Sequence, residues 1–344
     1  MTTTPRVLRR FRQSGLSLLE LMVSLVLGLF LVGVVSMTYI QTASGTRFGA
    51  LESQMNEDGA LALSLLRSQL ELAGYSARGA NGKRLFRGVS LRGCDGGFTE
   101  ATEKGAFDNL ACNNGNDSAA LAVRYQATLQ NTQTILPSTG GERPGNCSNV
   151  GMTESNVNGV DVFLADNRFY IDADSSNGNA PTLYCRGSDG TGMADASSLV
   201  PNVERLRIRY AITRAPESGQ VPPHQVTALV NASNALLFNA ADWARVAAVE
   251  LCIVMRTARP VARNGVSDAD TAHYLDCDGK ADTDSTDGRL RRTYRTLVHL
   301  PNLRPGIPSP FKVENGVVAN PYAALGDEQG GDPDTAPANV PVKP

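Results

Sequence analysis

A single acid, Glu20, stands at the mouth of an uncharged run that extends from Leu21 to Thr46 and is apolar through Ile40, and no other feature limits this chain as much. As a helix, Leu21 to Ile40 rises about 30 Å, one hydrocarbon core. The segment is therefore long enough to cross a bilayer once. A carboxylate beside such a helix is costly in lipid unless it meets a partner, and the expected partner is a positive charge on another chain. Ahead of it, Arg6, Arg9, Arg10 and Arg12 carry positive charge with no acid among them, which by the positive-inside rule keeps the N-terminus cytoplasmic. A secretory signal has a shorter apolar region with a small-residue cleavage site on its far side. Here the small residue, Gly15, precedes the apolar run, so a cut there removes only the basic leader and leaves the helix attached.

The stretch Gly15-Leu16-Ser17-Leu18-Leu19-Glu20 resembles the class III signal of type IV prepilins. The resemblance implies that a prepilin peptidase cuts between Gly15 and Leu16 and methylates the new amine on Leu16, with Glu20 as the assembly glutamate. Leu16 stands where major pilins more often carry phenylalanine, a departure that suits minor pilins and pseudopilins. Glycine fits the cut because no side chain obstructs a protease at the membrane surface. Cleavage also creates a positive amine on Leu16 that is itself unfavourable near lipid. Glu20 of a staggered neighbouring helix neutralises it, and in a dry setting removing one partner of such a pair costs several kcal/mol. Snorkelling of Glu20 to the headgroups would account for neither the leader nor Gly15.

Loss of the leader from the 344 residues leaves 329, enough for one sizeable domain on a stalk, or a domain with a large insertion. Net charge moves from −2 to about −6, since four of 32 basic residues leave and all 34 acidic ones stay. No nucleic-acid surface is expected. The densest basic segments, Arg205-Leu206-Arg207-Ile208-Arg209 and Arg289 to Arg295, alternate as strands with one solvated face.

Cys94, Cys112, Cys147, Cys185, Cys252 and Cys277 form an even set with no C-x-x-C pair, which excludes a zinc ribbon or thioredoxin-like motif. The topology exports everything after Ile40 to an oxidising side, where disulfides are the natural fate. The sequence does not choose among the fifteen connectivities that six cysteines allow. Pairing Cys94 with Cys112, Cys147 with Cys185 and Cys252 with Cys277 closes modest loops, each within one Gly- and Asn-rich region.

Leu51, Met55, Leu61, Leu65, Leu66 and Leu72 recur mostly at three- and four-residue steps, so the helix continues past the membrane with one apolar stripe. Gly74 suits its C-terminal cap, giving a helix of about 58 residues and roughly 85 Å from Leu16. Gly28, Gly33, Gly45 and Gly59 are places where it bends, or else packs closely. Beyond Tyr75, strands are expected near Ala119–Ala127, Val160–Ala165, Arg168–Ile171, Thr182–Arg186, Leu206–Thr213, Val246–Thr257 and Arg289–Leu300, with Leu199–Asn202 as a helical or turn lead. The fold class is α+β, a long N-terminal helix whose stripe is covered by an antiparallel sheet with long disulfide-containing loops. The expected division is a basic leader (1–15), a transmembrane and assembly half-helix (16–46), an amphipathic half-helix (47–75), a periplasmic β-rich domain (76–325) and a flexible tail (326–344).

Asn56-Glu57-Asp58-Gly59-Ala60-Leu61 through Leu72-Ala73-Gly74-Tyr75, Leu199 to Tyr210, Val249 to Arg256 and Arg291 to Val298 are similar to the PilW-type minor pilins. That resemblance implies a pilin-like fold and a low-abundance subunit, held in the inner membrane with its domain in the periplasm, that primes pilus assembly and sits at or near the fibre tip. Implied partners are other minor pilins, the major pilin, the prepilin peptidase, the inner-membrane assembly platform, and lipid around the helix. The J-type pseudopilins of type II secretion share the leader and layout and are the alternative.

A signal-anchored periplasmic binding domain or enzyme is the remaining class. His224, His273 and His299 are scattered, no H-E-x-x-H, G-x-S-x-G or phosphate loop is present, and neither catalysis nor a cofactor is expected. Asp282, Asp284 and Asp287 are candidate calcium ligands, since calcium favours such hard oxygen donors. The EF-hand spacing is missed, with Asp287 where glycine should stand and no closing glutamate, so the loop reads first as a solvated turn.

Overall fold

The computed structural model describes residues 15, 17–78, 84–86, 88–99, 102, 107–113, 118–138, 140–157, 159–213, 225–237, 240–261, 274–281, 287–303, 313–314, 317–319 and 339–341. Its first element, α1 (Leu18–Leu72), runs without interruption. The Ser17 carbonyl accepts from the Leu21 N–H at 3.1 Å and opens it; the expected start, Leu16, and the leader 1–14 lie outside the described residues. The chain divides into two compact units, Met1–Leu51 and Glu52–Pro344. In the first, Gly28, Gly33 and Gly45 remain helical.

In the second unit α1 buries Met55, Gly59, Ala62, Leu66 and Leu70, a stripe at three- and four-residue steps. This corrects the stripe read from large apolar residues: Leu61 is 49 % exposed, and Leu65 and Leu72 are only partly buried. Beside Met55, Leu66 and Leu70, the small residues Gly59 and Ala62 take inner positions. A Cβ on Gly59 would come within 2.9 Å of the Tyr294 ring. Gly74, at φ +73°, ends the helix, with Ala73 and Tyr75 N–H groups donating to the Leu70 and Leu72 carbonyls.

The strands are β1 (Leu91–Cys94), β2 (Ala120–Ala127), β3 (Thr134–Ile135), β4 (Arg143–Pro144), β5 (Ser155–Val157), β6 (Val160–Asp174), β7 (Ala180–Gly187), β8 (Ser197–Pro201), β9 (Val203–Thr213), β10 (Val226–Val230), β11 (Val246–Arg256), β12 (Arg291–His299), β13 (Val313–Glu314), β14 (Val317–Ala319) and β15 (Asn339–Pro341). One sheet has the order β1-β2-β6-β7-β8, with β5 also on β6. A second has the order β10-β9-β11-β12. All pairings are antiparallel. A single core joins the α1 stripe to Leu121, Val123 and Phe169 of the first sheet and to Leu206, Tyr210, Leu251 and Ile253 of the second.

Two expectations are corrected. The strands near Val160–Ala165 and Arg168–Ile171 are one 15-residue strand, β6, because Asp166 and Asn167, the gap left between them, are buried and hydrogen-bonded. Leu199–Asn202 is not a helical lead: β8 pairs with β7, and Asn202 at φ +62° then turns the chain into β9. A third sheet has the order β13-β14-β15.

Candidate functional site

From Leu18 to Ile40 the large apolar side chains of α1 are exposed on every side of the helix. A helix apolar all round belongs in lipid or among other helices, and among the described residues α1 is the one helix long and apolar enough to cross a membrane. Its hydroxyls fit that setting. Ser24, Thr38, Thr42, Ser44 and Thr46 donate to the Leu21, Val34, Thr38, Gln41 and Thr42 carbonyls at 2.8–3.0 Å, so these five donors are satisfied within the helix. Glu20 lies exposed in the first turn, where the helix dipole favours an acid. Gly15 is exposed just ahead of the helix, and Leu16 lies outside the described residues.

Within the second unit, two polar sets fasten α1 to the sheets, and sequence reading had singled out neither. At the near end, Arg292 of β12 meets Glu52 at 2.6 Å and Asn56 at 2.9 Å, while the Tyr294 hydroxyl donates to Asn56. Farther along, Gln69 accepts from Asn167 of β6 at 2.8 Å and from the Tyr125 hydroxyl of β2 at 3.2 Å. The Asn167 side-chain oxygen, Oδ1, in turn accepts from the Cys147 N–H. This set joins helix, sheet and disulfide loop, and burial pushes the Tyr125 phenol up to about 12 despite its hydrogen bonds. Beside it, Arg168 is fully buried and donates twice to Asp166, at 3.0 and 2.8 Å. The one available signal was the polar run Asp166-Asn167-Arg168 inside an otherwise strand-like pattern.

The structure joins Cys94 to Cys112, Cys147 to Cys185 and Cys252 to Cys277, the pairs that close the modest loops. The last tethers the 274–281 segment to β11. There Arg295 donates to the Asp276 and Cys277 carbonyls and Arg207 lies 3.7 Å from Asp278.

Of the calcium candidates, Asp282 and Asp284 lie outside the described residues, as do His224 and His273. Asp287 is engaged by arginine: Arg291 donates to both of its carboxylate oxygens, at 2.7 and 2.9 Å, and to both of Glu204 on β9, at 2.6 and 2.9 Å. Among the described residues no group of three or more His, Cys, Asp or Glu is placed to hold a metal. His299 ends β12 on the surface. The hydrogen bonds from Arg291 hold the Asp287 carboxyl down at about 2. A carboxyl depressed in the folded state stabilises above its unfolded value near 4 and loses that contribution as pH falls toward 2. In melting scans from pH 5 to pH 2, Asp287→Asn should therefore lack about 1 kcal/mol of the wild-type loss, the figure being reduced for solvent screening of this partly exposed group. Parallel melting curves for the two proteins across that window would contradict it.

Two family models match the chain. The prokaryotic N-terminal methylation motif covers residues 10–36 and the type IV pilus-assembly protein W family, PilW, covers residues 168–302. The second span runs from within β6 through β12. Among solved structures, a type IV-like pilin from Thermus thermophilus is similar over 72 % of this chain and 98 % of its own, at 14 % identity and a TM-score of 0.33. Comparison with curated proteins by sequence finds no match. A methylation motif on an apolar helix, continuing into a disulfide-bonded antiparallel β domain, defines a membrane-anchored, type IV pilin-like structural protein. Within that class, the part of the chain from β6 through β12 is similar to the PilW family, type IV pilus-assembly protein W.

Proposed function

We propose that this protein is a minor pilin that primes type IV pilus assembly in the inner membrane and is carried at or near the fibre tip. The observation that carries the reading is the union, on one chain, of a methylation motif at 10–36 with a PilW region at 168–302, joined by a helix exposed on all sides through Ile40. In this reading the peptidase removes 1–15 and methylates Leu16. Residues 16–46 hold the subunit in the bilayer, and Glu20 meets the amine of a neighbouring subunit. The 47–75 half-helix carries the periplasmic domain 76–325, the partners are other minor pilins, the major pilin and the assembly platform, and the work is structural, without turnover.

Processing is tested by mass spectrometry of protein from native membranes. The wild type should begin at N-methylated Leu16, and Gly15→Ala should accumulate as an uncut, membrane-held precursor. A mature end elsewhere, or normal processing of that variant, would overturn the assignment. Deletion should abolish piliation while type II secretion continues. Intact pili with failed secretion would instead mark a pseudopilus subunit.

A further inference from the structure

The second sheet ends on β12, and among the described residues no strand pairs with its outer edge. β12 pairs with β11 from Arg291 opposite Arg256 to His299 opposite Ala248 without a break in register, whereas the β9–β11 pairing shifts twice. It contains neither proline nor glycine. Its outer row of N–H and C=O groups is therefore a straight template for one more strand.

Charge decides which strand. β12 carries Arg291, Arg292 and Arg295 and no acid. Arg291 is committed to Glu204 and Asp287. Arg292 and Arg295 point to opposite faces of the strand, and each keeps a large exposed fraction, 45 % and 41 %, although Arg292 reaches Glu52 and Asn56, and Arg295 donates to the Asp276 and Cys277 carbonyls and lies 3.8 Å from Glu250. Leu297, two residues on from Arg295 and on the same face, is 64 % exposed. Two copies paired edge to edge would bring arginines together, and like charges in facing strands repel. The same arginines that disfavour self-pairing favour a strand of opposite charge.

We propose that the β12 edge accepts a β-strand from a different protein, one whose acidic side chains meet Arg292 and Arg295 and whose apolar side chain covers Leu297. Main-chain hydrogen bonds supply the attachment and the arginines supply the selection.

The test uses the full-length protein in detergent micelles, so it does not depend on incorporation into pili and fails or succeeds separately from the assembly role. A short extended peptide of threonine, valine and glutamate is compared with the same peptide carrying lysine for glutamate, and amide exchange is followed across residues 291–299. The glutamate peptide should slow β12 exchange by about tenfold or more, the lysine peptide should not, and Arg292→Glu or Arg295→Glu should reverse that preference. If both variants misfold, the comparison of peptides on the wild type still decides. Three results would overturn the proposal: β12 exchange unchanged by either peptide, equal slowing by both, or protection that rises with protein concentration alone, which would assign the edge to a second copy.

Discussion

Glu20→Ala is expected to be cleaved and methylated normally yet to enter pili about a hundredfold less than wild type. Removing one member of a desolvated ion pair costs about 3–5 kcal/mol, and each 1.4 kcal/mol is about tenfold in an equilibrium, so the lower figure already gives two orders of magnitude. The cost does not arise within the helix itself. Glu20 is exposed in the first turn of α1, where exchanging an acid for alanine alters helix stability by only about 0.3–1 kcal/mol. Glu20→Gln, which keeps the shape and removes the charge, should behave like the alanine variant. Immunoblots of sheared pili against whole membranes read both quantities. Wild-type amounts of either variant in the sheared fraction would show that charge pairing at Glu20 does not set register.

Gly93→Ala is expected to destabilise the β domain by about 3 kcal/mol, the upper part of the usual range for overpacking a core. A Cβ at Gly93 in β1 would stand 1.8 Å from the Tyr210 hydroxyl oxygen and 2.7 Å from the ring carbon that bears it. The Tyr210 ring has nowhere to go. It is fully buried, and Trp243 packs edge-on against it at a centroid distance of 4.9 Å. Burial also drives its phenol far above the ordinary tyrosine range, and among the described residues the hydroxyl has no hydrogen-bond partner. Tyr210→Phe alone should therefore cost almost nothing, since deleting an unpaired buried hydroxyl removes a desolvation penalty rather than a bond. Combined with Gly93→Ala it should recover part of the lost stability, because the closest clash is gone. Thermal unfolding of the four proteins measures this cycle. Equal destabilisation of the single glycine variant and the double variant would mean that the contact does not limit packing.

The long apolar helix was legible because its requirements are local. Twenty residues without charge, arginines on one side and an acid at the boundary are counted along the chain, and hydrocarbon imposes the rest. Three strands of the second sheet, β9, β11 and β12, were legible for a related reason, whereas β10 was not: Arg205, Arg207 and Arg209 alternate with Leu206 and Ile208, and β9 buries every second residue there. The end of α1 at Gly74 followed from the same kind of local rule.

What sequence by itself determined was the membrane-length helix, the α+β class and the alternating strands, all properties of short windows in which each residue answers to its neighbours. Only the tertiary structure decided that Gly59, Ala62 and Ala73 line the interior in place of Leu61, Leu65 and Leu72, because the inner face of a helix is chosen by what packs against it, here the Tyr294 ring. It likewise turned Asp166-Asn167 from an apparent gap between two strands into the buried middle of β6. Polar side chains are stable inside a protein when partners reach them, and the partners Gln69 and Tyr125 arrive from 98 and 42 positions away in the chain.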